Sequence, residues 1–331
     1  MTKRVPLSVL DLVGISEGQS VREAIAVSME HAQLVDHLGY KRLWYAEHHN
    51  SPALAAVATP LLIGRAAAVT ERIRVGSGGI MLPNHSHFRI AEEFGTLAQM
   101  FPDRIDLGLG RAPGTDGRTA QLLTRSSADP QEFANQIYDM MSWFGEDGES
   151  PRIPGVTTGV ATGTNVPIWI LGSSMNGAHI AGQLGLPYSI ATHFMPDDFG
   201  EKLDFYRSSF KEDALTATVE QPYTMAAINV VVAPTDEEAE RIFTSTEKMF
   251  IDIHSGKRSY VQPPVEPSEL QHRELADAAL KVRAVGAPET VKRELEGFAT
   301  QTGADELIVV TYAFDPEDRR RSLEMLADLW F

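Results

Sequence analysis

Apolar residues along the chain fall into two alternating patterns. Short continuous runs such as VPLSVLDL (5–12), RLWYAE (42–47), IRVGSGGIML (73–82) and RIDLGLG (104–110) lack clean polar alternation and read as strands buried on both faces. PIWILG (167–172), PYSIAT (187–192), YTMAAINVVVA (223–233) and ELIVVTYAF (306–314) bring the series to eight. Between them apolar residues recur at helical spacing. These stretches are 21–39 (with Gly39 as a stop signal), the Ala-rich 53–69, 88–100, much of 119–144, 176–185 and 197–210. Further helical stretches run from Asp236 onward and over 317–331. Eight strand-like runs, each followed by a helix, predict the α/β class and a (β/α)8 TIM barrel. A doubly wound sheet buries similar strands but usually carries a Gly-rich turn after the first one. DLVGISEGQS at that place lacks the fingerprint, which favours the barrel.

Two segments exceed a minimal barrel. Residues 145–166, rich in Gly, Pro and Thr, read as an excursion, in the manner of a β-ribbon, between the fourth helix and the fifth strand. The seventh connection contains VQPPVEPSE, and its length predicts a mobile active-site lid over about 250–285, with extra helix before the eighth strand. The whole chain, 1–331, is expected to form one domain.

Composition narrows the partners more than the fold. A formal charge of −16 argues against nucleic acid or an anionic membrane surface, which need a basic footprint. The absence of cysteine excludes disulfides, thiolate metal sites and cysteine nucleophiles. The apolar stretch in MTKRVPLSVLDLVG is too quickly interrupted for a signal peptide, and no run approaches the roughly 18 apolar residues of a membrane span. The expectation is a soluble, cytoplasmic protein.

In a barrel the chemistry sits at the C-terminal strand ends. Here these ends are Glu47-His48-His49-Asn50, Gly76-Ser77-Gly78-Gly79 leading to His85-Ser86-His87, Gly108-Leu109-Gly110-Arg111, Gly172-Ser173-Ser174-Met175-Asn176-Gly177 and Thr192-His193. A Gly-Ser-Ser turn opening a helix offers N–H groups, hydroxyls and a helix N-terminus to a phosphate, although Ser also caps helices that bind nothing. Arg111, at the neighbouring strand end, could approach the same anion or form an ordinary salt bridge. Glycines within a strand, as at Gly78-Gly79, suit either close approach of a flat ring or a bulge. The histidines admit a rival, a metal-dependent hydrolase built on His48, His49, His85, His87, His193 and Asp315.

WYAEHHN, IRVGSGGIMLPNHSHFRIAEEFGTL, FPDRIDLGLGRAPGTD and ILGSSMNGAHIAGQLGLPY, in that order, resemble the luciferase-like flavin monooxygenases, the family of the bacterial luciferase α chain. The resemblance implies a TIM barrel that binds reduced FMN, supplied by a separate reductase. It oxidises a small organic substrate with O2 through a C4a-peroxyflavin. By the same resemblance His48 is the proton-transfer residue and Gly78-Gly79 form a non-prolyl cis peptide against the flavin ring. Gly110, Arg111, Ser173, Ser174 and Gly177 then fall in the cofactor site, with Arg111 and the two serines at the phosphate. A homodimer is implied as well. Three positions depart from the luciferase pattern: Gly110 stands for a cysteine, Ser173 for a glutamate and Gly177 for a hydroxyl residue, so light emission is not implied. Some relatives use a deazaflavin, and others are non-catalytic flavin-binding barrels.

Overall fold

The structure, a computed structural model, describes residues 4–123 and 129–331. It begins β1 (Leu7–Asp11), α1 (Val21–Leu38), β2 (Arg42–Tyr45), α2 (Thr59–Val69), β3 (Arg74–Ser77), β4 (Ile80–Met81), α3 (His87–Met100) and β5 (Ile105–Gly110). It continues α4 (Gly117–Ala120), α5 (Pro130–Phe144), β6 (Ile168–Gly172), α6 (Met175–Gln183), β7 (Tyr188–Ile190), α7 (Phe199–Ser209) and β8 (Thr224–Val232). The last elements are α8 (Asp236–His254), α9 (Glu274–Asp277), β9 (Arg283–Gly286), α10 (Pro288–Thr302), β10 (Glu306–Val310) and α11 (Pro316–Trp330). Every strand pairing is parallel, and β10 bonds both β1 and β8, which closes the sheet. The staves β1, β2, β3 with β4, β5, β6, β7, β8 and β10 make the eight-stranded barrel expected from the apolar runs. No helix among the described residues is long and apolar enough to cross a membrane.

Local chemistry explains the element ends. Ser20 and Glu23 form a capping box at the start of α1, and Gly39 takes the left-handed conformation that ends it. The helix expected over 53–69 begins only at Thr59, with Pro60 in its first turn. Residues 53–56 instead bond the chain leaving β1: Ile15 N–H donates to the Ala53 carbonyl at 2.7 Å and Ala55 N–H to that of Val13 at 2.9 Å. Tertiary hydrogen bonds outweigh the helical propensity of alanine there. The helix expected across 119–144 appears as α4 and α5, and its stretch 124–128 lies outside the described residues.

The run 73–82 is divided into β3 and β4 at Gly78-Gly79, whose peptide bond is cis. The excursion 145–166 has one antiparallel bridge, Glu149 to Thr157, and packs on α3, where Gly95 lies against the Ala161 backbone. The connection 250–285 contains an unexpected strand, β9, which pairs with the last four residues of β8. Earlier in it, Val261 bridges Ser16 beyond β1, and Arg258 donates to the Asn50 carbonyl at 3.2 Å and to Asp116 at 2.7 Å. This connection therefore runs over the C-terminal rim of the barrel.

Candidate active site

Side chains alternate along a stave, so every second residue points at the barrel axis. The inward positions form four layers. The lowest is ionic: Arg42 donates to Asp106 at 2.6 Å and to Glu306 at 3.0 Å, while Ser8 and Tyr223 also donate to Glu306. Above it lie large apolar side chains, Leu10, Trp44, Trp169, Met225 and Ile308, with the two indoles edge to face at 5.2 Å. The third layer is mostly small: Ala46, Gly78, Gly110, Ala191 and Ala227, with Leu12, Leu171 and Val310 between them. At the rim stand Asn229, on β8, and His48, Ser173, His193 and Tyr312 in the segments just beyond β2, β6, β7 and β10. Large residues plug the barrel beneath a layer of mostly small ones.

At the β2 end the three polar neighbours separate by parity. Glu47 points outward and is 1% exposed. Its Oε1 accepts from His49 Nε2 and His85 Nε2, each at 2.8 Å, and its Oε2 accepts from Met81 N–H at 2.9 Å. Burial alone would raise the Glu47 pKa, but the bond and charge of His85, with the bonds from His49 and Met81, hold it below the ordinary carboxylate value. Burial pulls His85 the other way, and the Glu47 carboxylate prevails, raising it. His48 has no such partner: its Nδ1 is buried and makes no hydrogen bond. Burial, helped by His49 and opposed by Glu47, lowers its pKa and keeps the ring neutral near pH 7.

The next three staves present backbone rather than side chains. A Cβ on Gly78 would come 2.6 Å from Leu10 Cδ1, and one on Gly79 would come 2.7 Å from the Gly108 carbonyl oxygen. Gly79 is therefore required by the adjoining backbone, whereas at Gly78 the Leu10 side chain would have to shift. Leu109 is in register with Ile170, so Gly110 and Arg111 run beside Leu171 and Gly172 at the turn into α6. Ser174 caps α6, its Oγ accepting from Gly177 N–H at 3.3 Å. The first-turn N–H groups of Met175 and Asn176 have no acceptor within the helix and stay available to an anion. Gly177 has only ordinary contacts around its Cα, so no steric need for glycine exists there.

The site residues read from the sequence thus converge on one arc of the mouth, β2 through β6. The metal constellation does not converge. His85 is taken by Glu47, whereas His87 stacks on Trp143 at 5.3 Å, beside Asp139. Among the described residues, no three His, Cys, Asp or Glu side chains form a group that could hold a metal ion. The sequence places His193 at a strand end and gives it no role beyond a possible metal ligand.

At its C-terminal end this closed parallel barrel presents an imidazole, a glycine-backed rim and a helix N-terminus suited to an anion. Residues 5–306 match the sequence profile of the luciferase-like monooxygenases, and the chain belongs to that family. It is 41% identical to a luciferase-like monooxygenase of Escherichia coli (strain K12), over 99% of this chain and 97% of the relative. It superposes on the crystal structure of apo-MsnO8 with a TM-score of 0.86 at 32% identity, covering 98% of both chains. The FMN complex of the oxygenating constituent of 3,6-diketocamphane monooxygenase from Pseudomonas putida shares the fold. Its TM-score is 0.72 at 18% identity, over 98% of this chain and 97% of that one.

Proposed function

We propose that this protein is the oxygenase of a two-component, FMN-dependent monooxygenase, using reduced FMN from a separate reductase and O2 to oxidise a small organic substrate. The observation that carries the reading is the buried, unpartnered imidazole of His48 at the mouth, on the same arc as the Gly78-Gly79 backbone and the α6 N-terminus. These residues fit a flavin mononucleotide. Arg111, Ser173, Ser174 and the first-turn N–H groups of α6 would hold its phosphate. Gly78, Gly79 and Gly110, with the small third layer, would lie against its ring. Bound reduced flavin supplies the electrons and the reactivity toward O2 that no side chain here possesses.

His48 supplies proton management. Neutral at physiological pH and without a protein partner, it can accept a proton at the mouth and return it. Glu47 does not enter the chemistry; it binds His49, His85 and Met81 N–H and so braces the β2 end. The 250–285 connection, joined to the rim through Arg258 and Val261, would exclude water from the reaction. A homodimer is the assembly the family resemblance favours.

The test is anaerobic titration with reduced FMN, followed by stopped-flow mixing with O2. Binding of reduced FMN, and a transient that outlasts free-flavin oxidation in wild type but not in His48→Asn, is the expected result. Binding of reduced deazaflavin in place of reduced FMN would substitute the deazaflavin oxidoreductase reading. Binding of neither would overturn both.

A further inference from the structure

The arc β2 to β6 accounts for the cofactor reading, which leaves the opposite side of the mouth, β7, β8, β10 and β1, without a role. In the barrel order β7 stands four staves from β2, so the inward row of β7 faces that of β2 across the axis. His193 lies in the turn just beyond that row, close enough to His48 for their charges to interact. It is 7% exposed, its Nδ1 is buried without a partner, and neither ring nitrogen bonds a protein group among the described residues. Asn229, Thr192 and Ser16 on this side are committed, whereas the buried Thr311 Oγ1 after β10 also lacks a partner. Asn229 Nδ2 donates to the carbonyls of His193 and Val282 at 2.6 and 3.3 Å. Thr192 Oγ1 donates to the Ala227 carbonyl, and Ser16 Oγ to that of Phe314 at 2.6 Å.

An apolar cluster lies on the same side of the rim. Leu54, Val261, Tyr312 and Phe314 cluster where the 250–285 connection meets the rim, and Phe194 and Met195, directly after His193, are exposed. A buried imidazole with nothing to bond is costly unless a ligand or water completes it. We propose that His193 is a substrate-contacting residue, hydrogen-bonding the one polar acceptor atom of an otherwise apolar organic substrate held opposite the flavin side of the mouth. The inference rests on the flavin reading, since it takes the β2–β6 arc to be filled by the cofactor. Burial, with the charge of nearby His48, brings the His193 pKa down to about 3. The ring therefore stays neutral and suits donation of a hydrogen bond better than proton abstraction.

The experiment measures binding of 2-octanone and of octane, which lacks the acceptor oxygen, to wild type, His193→Leu and His193→Gln, each with and without reduced FMN under anaerobic conditions. Wild type loaded with reduced FMN is expected to prefer the ketone by about tenfold. His193→Leu should lose that preference while keeping octane affinity and reduced-FMN affinity, and His193→Gln, which retains a donor, should recover part of it. Equal binding of ketone and octane by wild type, failure of both to bind, or an undiminished ketone preference in His193→Leu overturns the assignment. If wild type does not bind reduced FMN, the flavin reading fails and this inference with it. That failure is distinct, because it appears in the flavin titration before any organic probe is added.

Discussion

His48 and Glu47 are adjacent in sequence and opposite in circumstance. Parity sends Glu47 outward to three hydrogen bonds and His48 inward to none. Replacing His48 by Asn should lower turnover by roughly 10²–10⁴-fold, the usual contribution of a general acid–base group, with little change in melting temperature or reduced-FMN affinity. The pH profile should follow the same residue. Its pKa lies below the ordinary histidine value of 6.5, so the neutral, base-competent form prevails above that pH. The kcat/KM profile should therefore be flat there and fall with acidification below it, and His48→Asn should remove that acidic limb. A limb centred above 6.5 would point to another group.

At the scale of elements, the site depends on three strand ends and one helix start brought into line. Arg111 lies beside the turn into α6 because of the β5–β6 register, and its charge adds to the free N–H groups of the first turn. Arg111→Met should weaken reduced-FMN binding by about 10- to 100-fold, the scale of one charge-assisted hydrogen bond, as read by anaerobic fluorescence titration. The β3–β5 contact tolerates even less. A Cβ on Gly108 would collide with the Ser77 carbonyl oxygen and Leu171 Cδ1, so Gly108→Ala should destabilise the barrel by about 1–3 kcal/mol in denaturant titration. The elements were legible to different degrees. The eight stave runs stand out as apolar stretches between helices, but RAVG of β9 does not, because four residues beside a long connection carry no period. The start of α2 was misplaced for a different reason. Alanines 53, 55 and 56 favour a helix locally, and their backbone bonds are made to the chain after β1 instead.

At the scale of the whole molecule, barrel closure places Arg42, Asp106 and Glu306, from three separate staves, in one buried ionic layer. Asp106 also pairs with Arg74 and Glu306 with Lys41, so Arg42→Met would remove the cation they share without stripping either carboxylate, and a loss of about 1.5–3 kcal/mol is expected by chemical denaturation. Acid sensitivity has a separate origin behind β1. Burial and the Arg319 charge, opposed by Asp11 and a bond to the Pro316 carbonyl, bring the His31 pKa down to about 4. Between about 4 and 6.5 the unfolded chain binds a proton at His31 that the folded chain does not. This contribution to stability is thus complete above 6.5 and declines as pH falls. His31→Gln should flatten the fall in unfolding free energy across that window, by up to about 1.4 kcal/mol per pH unit, as read by denaturant titration at each pH. His193, with its pKa at about 3, adds a similar slope that remains in the variant.

The sequence by itself determined the barrel, because buried parallel staves must be apolar throughout and the helices between them must carry a helical period. It also marked polar and glycine-rich strand ends as the place to look, and the resemblance to the luciferase-like family turned them into a candidate cofactor arc. Only the tertiary structure decided which polar groups are committed and which are not. Glu47 takes up His49 and His85, Asn229 is held by two carbonyls, and Arg42 is enclosed by Asp106 and Glu306, all across gaps of tens to hundreds of residues except the pair at 47 and 49. Hydrogen-bond satisfaction is a property of closure, not of spacing. That is why His48 and His193 emerge as unpartnered imbalances only once the sheet has joined β10 to β1.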